Sequence, residues 1–466
     1  MSKPDNKAQK PFAVGEILDA LQSGSAVRIA EIYRDAHPGD IEMAFERLDE
    51  AERLAILESL PVDVLGEWSD YLSPSELESF LDQVEDSKKK ETLDSMSDDE
   101  LVDFLQEVDD DTARAEYINL LEDEKRIVSE ELLQYPEESA GGRMTTMLAS
   151  VAEGITVKEA LSQLEEVSDE AEMLSRIFVV NENNQLVGRI RLRDLAFAKW
   201  DTPIAAFMAH EQISISAYAD QEEAAQMIAR YDLLALPVVD SEDRLLGVIT
   251  HDDAFEILEE ESTEDIERQS GIGGDRGDLA YLQIPVMAHF RRRFGWVLVL
   301  AFLAVLSGLV LIKYEDVLKS FYVLALYLPM VVAAGGNTGA QSATMVIRAM
   351  ALGELGPAQF LKVIWKEVRI GALLGLMLGL IVALQIRFLL PESATGGVDV
   401  LETALVVGIS LVAQIFTSTF IGSSLPLVAK LTRLDPAVVA SPAITTLVDV
   451  SGSVIYFTLA RMILAS

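Results

Sequence analysis

Carboxylate and hydroxyl side chains lie inside the last long apolar stretch of the chain, Asp435 to Leu464, and Asp449 is the acidic residue in its interior. At about 1.5 Å of rise per helical residue, Asp449 falls about 20 Å beyond Asp435, near the centre of a ~30 Å hydrocarbon layer. An unpaired carboxylate at that depth costs at least about 3 kcal/mol, so lipid is an unfavourable neighbour. The sequence therefore predicts a pathway for a positively charged species. The alternative is a carboxylate that is protonated or paired with a buried arginine.

Hydroxyl groups continue from Asp449 along one face of the same segment. Ser441, Thr445 and Asp449 are spaced i, i+4, i+8, and Ser453 extends the series. Residues at this spacing share a helix face. We therefore expect Ser441 and Thr445 to line the pathway with Asp449.

A second apolar segment combines proline, glycine and amide side chains. Pro329 and Met330 are followed by VVAAGGNTGAQSAT, which contains Gly335, Gly336 and Asn337. Proline removes a backbone donor and glycine relaxes a helix, so this pattern predicts an opened backbone whose carbonyls, with Asn337, are oxygen ligands. The alternative is close helix packing through small residues.

The ligand chemistry favours a hydrated divalent cation. One carboxylate with amides and hydroxyls suits an ion that keeps several of its waters, as Mg²⁺ does. Potassium would more readily use a ring of bare carbonyls. If two chains meet at a two-fold axis, two Asp449 carboxylates face each other and their repulsion favours a divalent ion.

Charge is distributed unevenly over the 466 residues, whose net charge is −39. Residues 1–280 carry −43 and residues 281–466 carry +4. An acidic first part repels nucleic acid and attracts small cations, although a merely solvated acidic surface is the alternative.

Cysteine is absent and the four histidines are scattered, which excludes thiolate sites and disfavours an imidazole metal site. With no nucleophile–base pair or phosphate loop, we do not expect an enzyme.

The order of sequence patterns predicts three kinds of domain. Helical periodicity from about residue 16 to 131 indicates a stack of helical hairpins, a small superhelix. Residues 175–197 and 233–255 repeat one strand–turn–strand–helix pattern, each preceded by an amphipathic helix, so they predict two β-α-β-β-α units in tandem. An acidic helix then leads into five spans, at about 294–312, 320–349, 370–390, 401–429 and 436–464. Nine basic residues flank the spans on one side and four on the other, which places the acidic part in the cytoplasm and the C-terminus outside.

Several motifs together resemble one known family. The segment from Pro329 to Thr344, WKEVRIG (365–371) and residues 425–457 look like the MgtE family of magnesium channels. YPEESAGGRMTT (135–146), RYDLLALPVVD (230–240) and ESTEDIERQSG (261–271) resemble the linker, second CBS unit and plug helix of that family. The chain has GGRMT where GRLMT is expected, and Thr338 and Ala340 where Ala and Asn are common.

The resemblance implies a multidomain membrane protein that assembles as a homodimer in the lipid of the cytoplasmic (inner) membrane. Its parts would be a disordered lead (1–13), an all-α N domain (14–135), an α/β CBS pair (136–200 and 201–258), a connecting plug helix (259–290) and a five-helix transmembrane pore domain (291–466). It also implies feedback, in which cytosolic Mg²⁺ binds between acidic surfaces and holds the pore shut.

The resemblance assigns roles to particular residues. Asp449 would be the pore ligand, and the residue patterns described above add Asn337, Gly335, Gly336, Thr445 and Ser441 as further pore candidates. The sensor candidates are Asp99, Asp103, Asp232, Asp253, Glu256, Glu261 and Glu264. CBS pairs often bind adenine nucleotides, so ATP is a candidate modulator, at Asp194, Thr250 and Asp253. Arg191 stands where Thr or Ser is usual, which disfavours two equivalent nucleotide sites.

Three functions fit these patterns. The favoured one is a Mg²⁺-selective channel that is closed by cytosolic Mg²⁺. The second is a carrier that couples Mg²⁺ to Na⁺ or H⁺. The third is a membrane-anchored sensor without transport, which leaves Asp449 and the GGN sequence without a role.

Overall fold

The computed structural model describes residues 14–22, 38–45, 47–48, 50–59, 74–108, 110–167, 173–210, 213–273, 284–351, 353–356, 359–432 and 436–464. These residues form two compact units, and the boundary between them falls at Glu261/Ser262. The first unit holds the acidic helices and the sheets. The second holds the long apolar helices.

Short helices form the beginning of the first unit, as the periodicity predicts. They are α1 (Val14–Gln22), α2 (Pro38–Phe45), α3 (Glu50–Ser59), α4 (Pro74–Leu81), α5 (Asp86–Ser95), α6 (Asp98–Glu107), α7 (Asp111–Leu120) and α8 (Asp123–Leu132). Their apolar faces meet in one core, in which Phe80, Leu93, Phe104 and Leu105 are buried. Because each helix is only two to three turns long, this shared core rather than helix propensity stabilises them.

The tandem repeat forms two α/β halves. The first contains β1 (Leu148–Ala152), α9 (Val157–Glu166), β2 (Met173–Val180), β3 (Leu186–Arg191), α10 (Leu192–Phe197) and β4 (Ala209–His210). The second contains β5 (Ile215–Ser216), α11 (Gln221–Tyr231), β6 (Ala235–Val239), β7 (Leu245–Thr250) and α12 (His251–Gln269). The sheet orders are β1-β2-β3-β4 and β5-β6-β7, so the predicted β-α-β-β-α repeat is confirmed.

The turns of the two halves meet in a reciprocal pair of hydrogen bonds. Leu186 N donates to Asp243 O at 3.0 Å, and Leu245 N donates to Asn184 O at 2.9 Å. Asn184 and Asp243 both have positive φ, 59° and 61°, in equivalent turns. Asn and Asp tolerate this left-handed conformation better than most side chains. The halves are therefore related by a pseudo-two-fold axis.

Five helices of the second unit are long and apolar enough to cross a membrane, among the residues that the structure describes. They are α13 (Val286–Lys313), α15 (Val323–Ala351), α16 (Phe360–Leu389), α17 (Val400–Leu431) and α18 (Pro436–Leu464), called spans one to five below; α14 (Glu315–Ser320) is a short helix between spans one and two. The predicted number of spans is confirmed.

Span four is the central helix of this unit. Its apolar residues Val406, Val407, Leu411 and Ile415 are fully buried. Span three packs against it through a glycine stripe, in which the positions of Gly371, Gly375 and Gly379 lie against Thr419, Val412 and Gly408 respectively. Small residues at i, i+4, i+8 let two helix backbones approach closely in a membrane.

Candidate functional site

Span five turns Asp449 away from the helix packing. Its neighbours Ile444 and Val448 are buried at 1% and 0% exposure, in a cluster with residues of span two. Asp449 itself is half-buried and Thr445 is exposed. Among the described residues, no basic side chain or hydrogen-bond donor contacts the Asp449 carboxylate. An ion pair between Asp449 and an arginine is thus not observed in the described part of the chain.

The polar series predicted on span five does not lie entirely on one exposed face. The side chain of Ser441 lies outside the described residues. Ser453, which is four residues beyond Asp449, is buried at 5% exposure. Because each step of four residues rotates by about 40°, the series turns from the exposed face at Thr445 into the protein at Ser453.

Span two is a continuous helix, and the expected opening of its backbone is wrong. Helical structure runs without a break from Val323 to Ala351, through Pro329 and the glycines. The physical reason is packing: Gly335 lies against span four and Gly339 against spans four and five, so these glycines permit close helix contact. Gly336, by contrast, has open space beside its Cα.

The face of span two opposite this packing is polar and exposed. Asn337, Gln341 and Thr344 follow helical spacing and all three are exposed in the single chain. Polar side chains at membrane depth are unfavourable toward lipid. This face therefore requires either water or another protein surface beside it.

Asn337 and Asp449 lie in the same layer of the helix bundle. A Cβ on Gly339 would lie 3.2 Å from Ile444 Cγ2 and 3.4 Å from Val448 Cγ2, and a Cβ on either Gly335 or Gly452 would meet the side chain of Gln414. Gly339 is therefore level with Val448 and Gly335 is level with Gly452, so spans two and five run antiparallel. Asn337 lies between the two glycines of span two, and Asp449 lies between Val448 and Gly452, so Asn337 and Asp449 are at about the same level. The structure brings the amide and the carboxylate to one depth, as a cation pathway needs.

In the first unit, helix α6 presents acids to the second α/β half. Val102 of α6 belongs to the hydrophobic core of that half, whereas Leu101, Phe104 and Leu105 face the core of the helical domain. The predicted sensor residues Asp99 and Asp103 lie on the side of Val102. They share that side with Gln106, at spacing i, i+4, i+7.

Three acceptor oxygens on this face are buried and have no hydrogen-bond partner among the described residues. They are Asp99 Oδ1, Asp103 Oδ1 and Gln106 Oε1. A buried acceptor without a donor is costly, and more so when it carries charge. Such a face attracts cations.

One arginine connects α6 to helix α12. Arg143 Nη1 donates to Asp103 Oδ2 at 2.8 Å, Nη2 donates to Glu260 Oε2 at 2.7 Å, and Nε donates to Gln221 Oε1 at 2.9 Å. Gln221 Nε2 in turn donates to the predicted sensor residue Glu261, at 2.7 Å. The cluster formed by these side chains is called the Arg143 network below.

Burial and crowding raise the pKa values of these acids. Burial, then the charge of Asp253, raises the pKa of Asp99 to about 6. Burial raises the pKa of Asp103 to about 7 against the opposing effect of Arg143, and the charges of Asp99 and Glu260 add to the rise. At neutral pH these carboxylates repel one another, and a bound cation would relieve that repulsion.

Helix α12 contributes further acids to this region. Desolvation raises the pKa of Glu256 to about 7, with contributions from the charges of Asp253 and Glu260, although Glu256 is still partly exposed to solvent. Burial also raises the pKa of Asp253. Arg143 bonds both Asp103 of α6 and Glu260 of α12, so the two helices lie beside each other. The predicted sensor residues Asp99, Asp103, Asp253 and Glu256 are thus brought together.

The remaining predicted sensor residues lie elsewhere. Asp232 is exposed at the C-terminal end of α11 and adopts the left-handed conformation there, φ 53°. Glu264 forms an ion pair with Arg268 within α12. Glu267, near the end of α12, forms an ion pair with Arg292 at the start of span one, and Gly273 N donates to Arg292 O at 3.1 Å. These contacts attach the end of the predicted plug helix to span one.

The predicted nucleotide residues differ between the two halves. Asp253 Oδ2 accepts hydrogen bonds from Thr250 N at 2.9 Å and from Thr250 Oγ1 at 2.7 Å. Asp194 instead pairs with Arg191 at 2.6 Å and Arg193 at 3.6 Å. The two corresponding aspartates therefore have different partners.

No cluster of three or more carboxylate or imidazole side chains is close enough to coordinate one metal ion directly, within the described part of the chain. Mg²⁺ usually keeps several waters in protein sites. A hydrated ion between the acids of α6 and α12 is compatible with this spacing.

Sequence reasoning missed Arg143, Gln106, Glu260 and the buried amide Gln414. Arg143 had a signal, because it lies in the GGRMT departure from the expected motif. Gln106 and Glu260 are single polar residues in acidic helices, where nothing marks them. Gln414 is the amide within the apolar span four, and its position among Ser410 and Ser418 at i±4 was a usable signal.

Comparisons with known protein families give matches to successive parts of the chain. A family model described as MgtE, divalent cation transporter, matches residues 328–459. The model of the MgtE intracellular N domain matches residues 36–138, and the CBS domain model matches 140–201 and 204–260.

Curated relatives match over most of the chain. The magnesium transporter MgtE of Thermus thermophilus is 35% identical over 474 residues, which cover 96% of this chain and 98% of that protein. The magnesium transporter MgtE of Bacillus subtilis is 32% identical over 335 residues, 72% of each chain. Among solved structures, the cytosolic domain of the Mg²⁺ channel MgtE in complex with ATP is 34% identical, covers 53% of this chain and 100% of its own, and has a TM-score of 0.49.

Proposed function

Because this chain belongs to the MgtE family of divalent-cation transporters, we propose that it is a Mg²⁺-selective channel of the cytoplasmic membrane that admits Mg²⁺ and closes when cytosolic Mg²⁺ is high. The family consists of transporters rather than enzymes, in keeping with the expectation from sequence. The N-terminal domains would lie in the cytoplasm and the C-terminus outside.

The observation that carries the proposal is the pair of polar faces at one depth of the bundle. Asp449 and Thr445 on span five, and Asn337 on span two, are at least partly exposed in a single chain. Amide, hydroxyl and carboxylate oxygens suit a Mg²⁺ ion that retains waters. Gly336, Gly335 and Ser441 are further pore candidates, although Gly335 faces span four rather than the exposed side.

A homodimer accounts for the exposure of these faces. Two copies of Asn337 and Asp449 around a two-fold axis would enclose a wetted path and remove the polar groups from lipid. The purified protein is then expected to have the mass of a dimer by light scattering after correction for detergent. A monomeric mass in an active preparation would contradict this arrangement.

The acids between α6 and α12 support the proposed feedback by cytosolic Mg²⁺. Ions between Asp99, Asp103, Asp253 and Glu256 would neutralise their repulsion and hold the two elements together. When Mg²⁺ is removed, the repulsion favours separation. The contact of Glu267 with Arg292 gives the end of α12 a direct mechanical connection to span one.

The remaining sensor and nucleotide assignments stay predictions of the family resemblance. Asp232, Glu261 and Glu264 are the other proposed sensor residues. ATP remains a proposed modulator, and Thr250 with Asp253 is the better candidate site.

Mg²⁺ flux into proteoliposomes tests the permeation proposal. Asp449→Ala should abolish uptake driven by an inside-negative potential, because the path loses its only carboxylate in span five. The matched control is Asp316→Asn, which removes an exposed acid from the short helix α14 and should leave uptake unchanged. Wild-type uptake by Asp449→Ala would contradict the pore assignment.

The same assay separates a channel from a coupled carrier. Uptake that continues without a Na⁺ or H⁺ gradient supports a channel. Uptake that requires either gradient supports the carrier alternative.

A further inference from the structure

Span four contains a buried amide whose hydrogen bond reaches the residue next to Asp449. Gln414 is fully buried, at 0% exposure, and its Nε2 donates to the main-chain oxygen of Val448 at 2.9 Å. Ser451 Oγ of span five also donates to that oxygen, at 3.2 Å. Buried amides in a membrane protein are expensive unless their hydrogen bonds are made, so this bond orients the side chain strongly.

Two glycines create the space that the amide occupies. A Cβ on Gly335 of span two would collide with Gln414 Nε2 and would lie 2.7 Å from its Cγ. A Cβ on Gly452 of span five would lie 2.6 Å from Nε2 and 2.8 Å from Cδ. Gln414 is thus wedged between spans two and five, the two helices that carry Asn337 and Asp449.

The direction of the amide is also determined. If the amide were flipped, Oε1 would face the Val448 oxygen and the two acceptors would repel each other. Oε1 and the nearby Ser418 Oγ have no hydrogen-bond partner among the described residues, so donation to Val448 is the bond that holds Gln414 in the described structure. Without this bond, span four no longer donates to the Val448 oxygen, although Ser451 of span five still does.

Resting on the proposed function, we infer that Gln414 is a positioning residue of the pore, which sets the rotation of span five so that Asp449 faces the cation path. Val448 and Asp449 are consecutive and therefore project about 100° apart around the helix. Holding the Val448 carbonyl against span four keeps Val448 inside and Asp449 on the exposed side. A side chain extends about 5.5 Å from the helix axis, so a rotation of about 20° moves its end by about 2 Å.

The natural absence of cysteine allows a direct test of this rotation. Thr445→Cys introduces a single thiol on the face of Asp449, and its rate of modification by a charged, membrane-impermeant methanethiosulfonate reports exposure to water in the path. In full-length protein reconstituted in liposomes, adding Gln414→Met should slow this modification at least fivefold, because methionine keeps the size but lacks the donor. Adding Gln385→Met, at an exposed glutamine of span three, should leave the rate unchanged.

A second variant covers the case in which Gln414→Met does not fold. Gly452→Ala retains Gln414 but pushes its amide away from Val448, so it should slow the modification of the introduced thiol to a similar extent. Equal rates in the Gln414→Met, Gly452→Ala and Gln385→Met backgrounds would overturn the positioning role. Failure of the introduced thiol to react in any background would instead count against the wetted path, and so against the proposed function.

Discussion

The Arg143 network gives a quantitative prediction for the contact between α6 and α12. Arg143→Gln removes the positive charge between Asp103 and Glu260 while it retains a polar side chain of moderate length. Side-chain exposure is 19% for Arg143, 30% for Asp103 and 38% for Glu260, so the site is partly rather than fully buried. Removing one partner of a buried ion pair costs about 3–5 kcal/mol, whereas an exposed pair contributes about 0–1 kcal/mol.

The exposure decides between these limits. The bond to Asp103 lies closer to the buried case, and the bond to Glu260 closer to the exposed case. We therefore expect a loss of about 2–4 kcal/mol in the free energy of association of α6 with α12, which is roughly 30- to 900-fold in the equilibrium constant. Saturating Mg²⁺ should restore most of the association, because it neutralises the acids that Arg143 no longer pairs.

Hydrogen exchange of the full-length protein measures this directly. Without Mg²⁺, peptides that cover residues 98–107 should exchange faster in Arg143→Gln by a factor within that range, up to the limit set by unfolding of α6 itself. Arg244→Gln is the matched control, because Arg244 also bonds an acid, Asp240, at 2.7 Å but is 51% exposed. Exchange of α6 within threefold of wild type in Arg143→Gln would refute the assigned role of the network.

Two further predictions concern pH and ATP. The pKa of Asp103 is about 7 in the folded protein against 3.8 in the unfolded chain, so the folded state binds more protons and stability without Mg²⁺ should fall as pH rises from about 4 to about 7. Thermal unfolding of the wild type at pH 6 and pH 8 measures this, and a transition that is higher at pH 8 without Mg²⁺ would contradict the sign. For ATP, Asp253→Asn should weaken binding in calorimetry at least tenfold, whereas Asp194→Asn should change it less than threefold because Asp194 is already paired with Arg191. Equal effects of the two variants would mean that the halves are equivalent after all.

Much of the architecture could be predicted from the sequence because its signals are local. Hydropathy over about 20 residues revealed five spans, and the repeated strand–turn–strand–helix pattern revealed the two α/β halves. The depth of Asp449 followed from its distance along one helix. None of these inferences required knowing which helix packs against which.

The side on which each residue lies was decided by tertiary packing. The sequence alone suggested that the glycines after Pro329 open the helix, but in the structure Gly335 and Gly339 are contact points between continuous helices, while Gly336 and Asn337 face away. The partner of Asp103 could not be inferred either, because Arg143 is 40 residues away in the chain and Glu260 is 117 residues beyond Arg143. Periodicity describes one helix at a time, whereas a buried hydrogen bond such as Gln414 to Val448 depends on how two helices are rotated against each other.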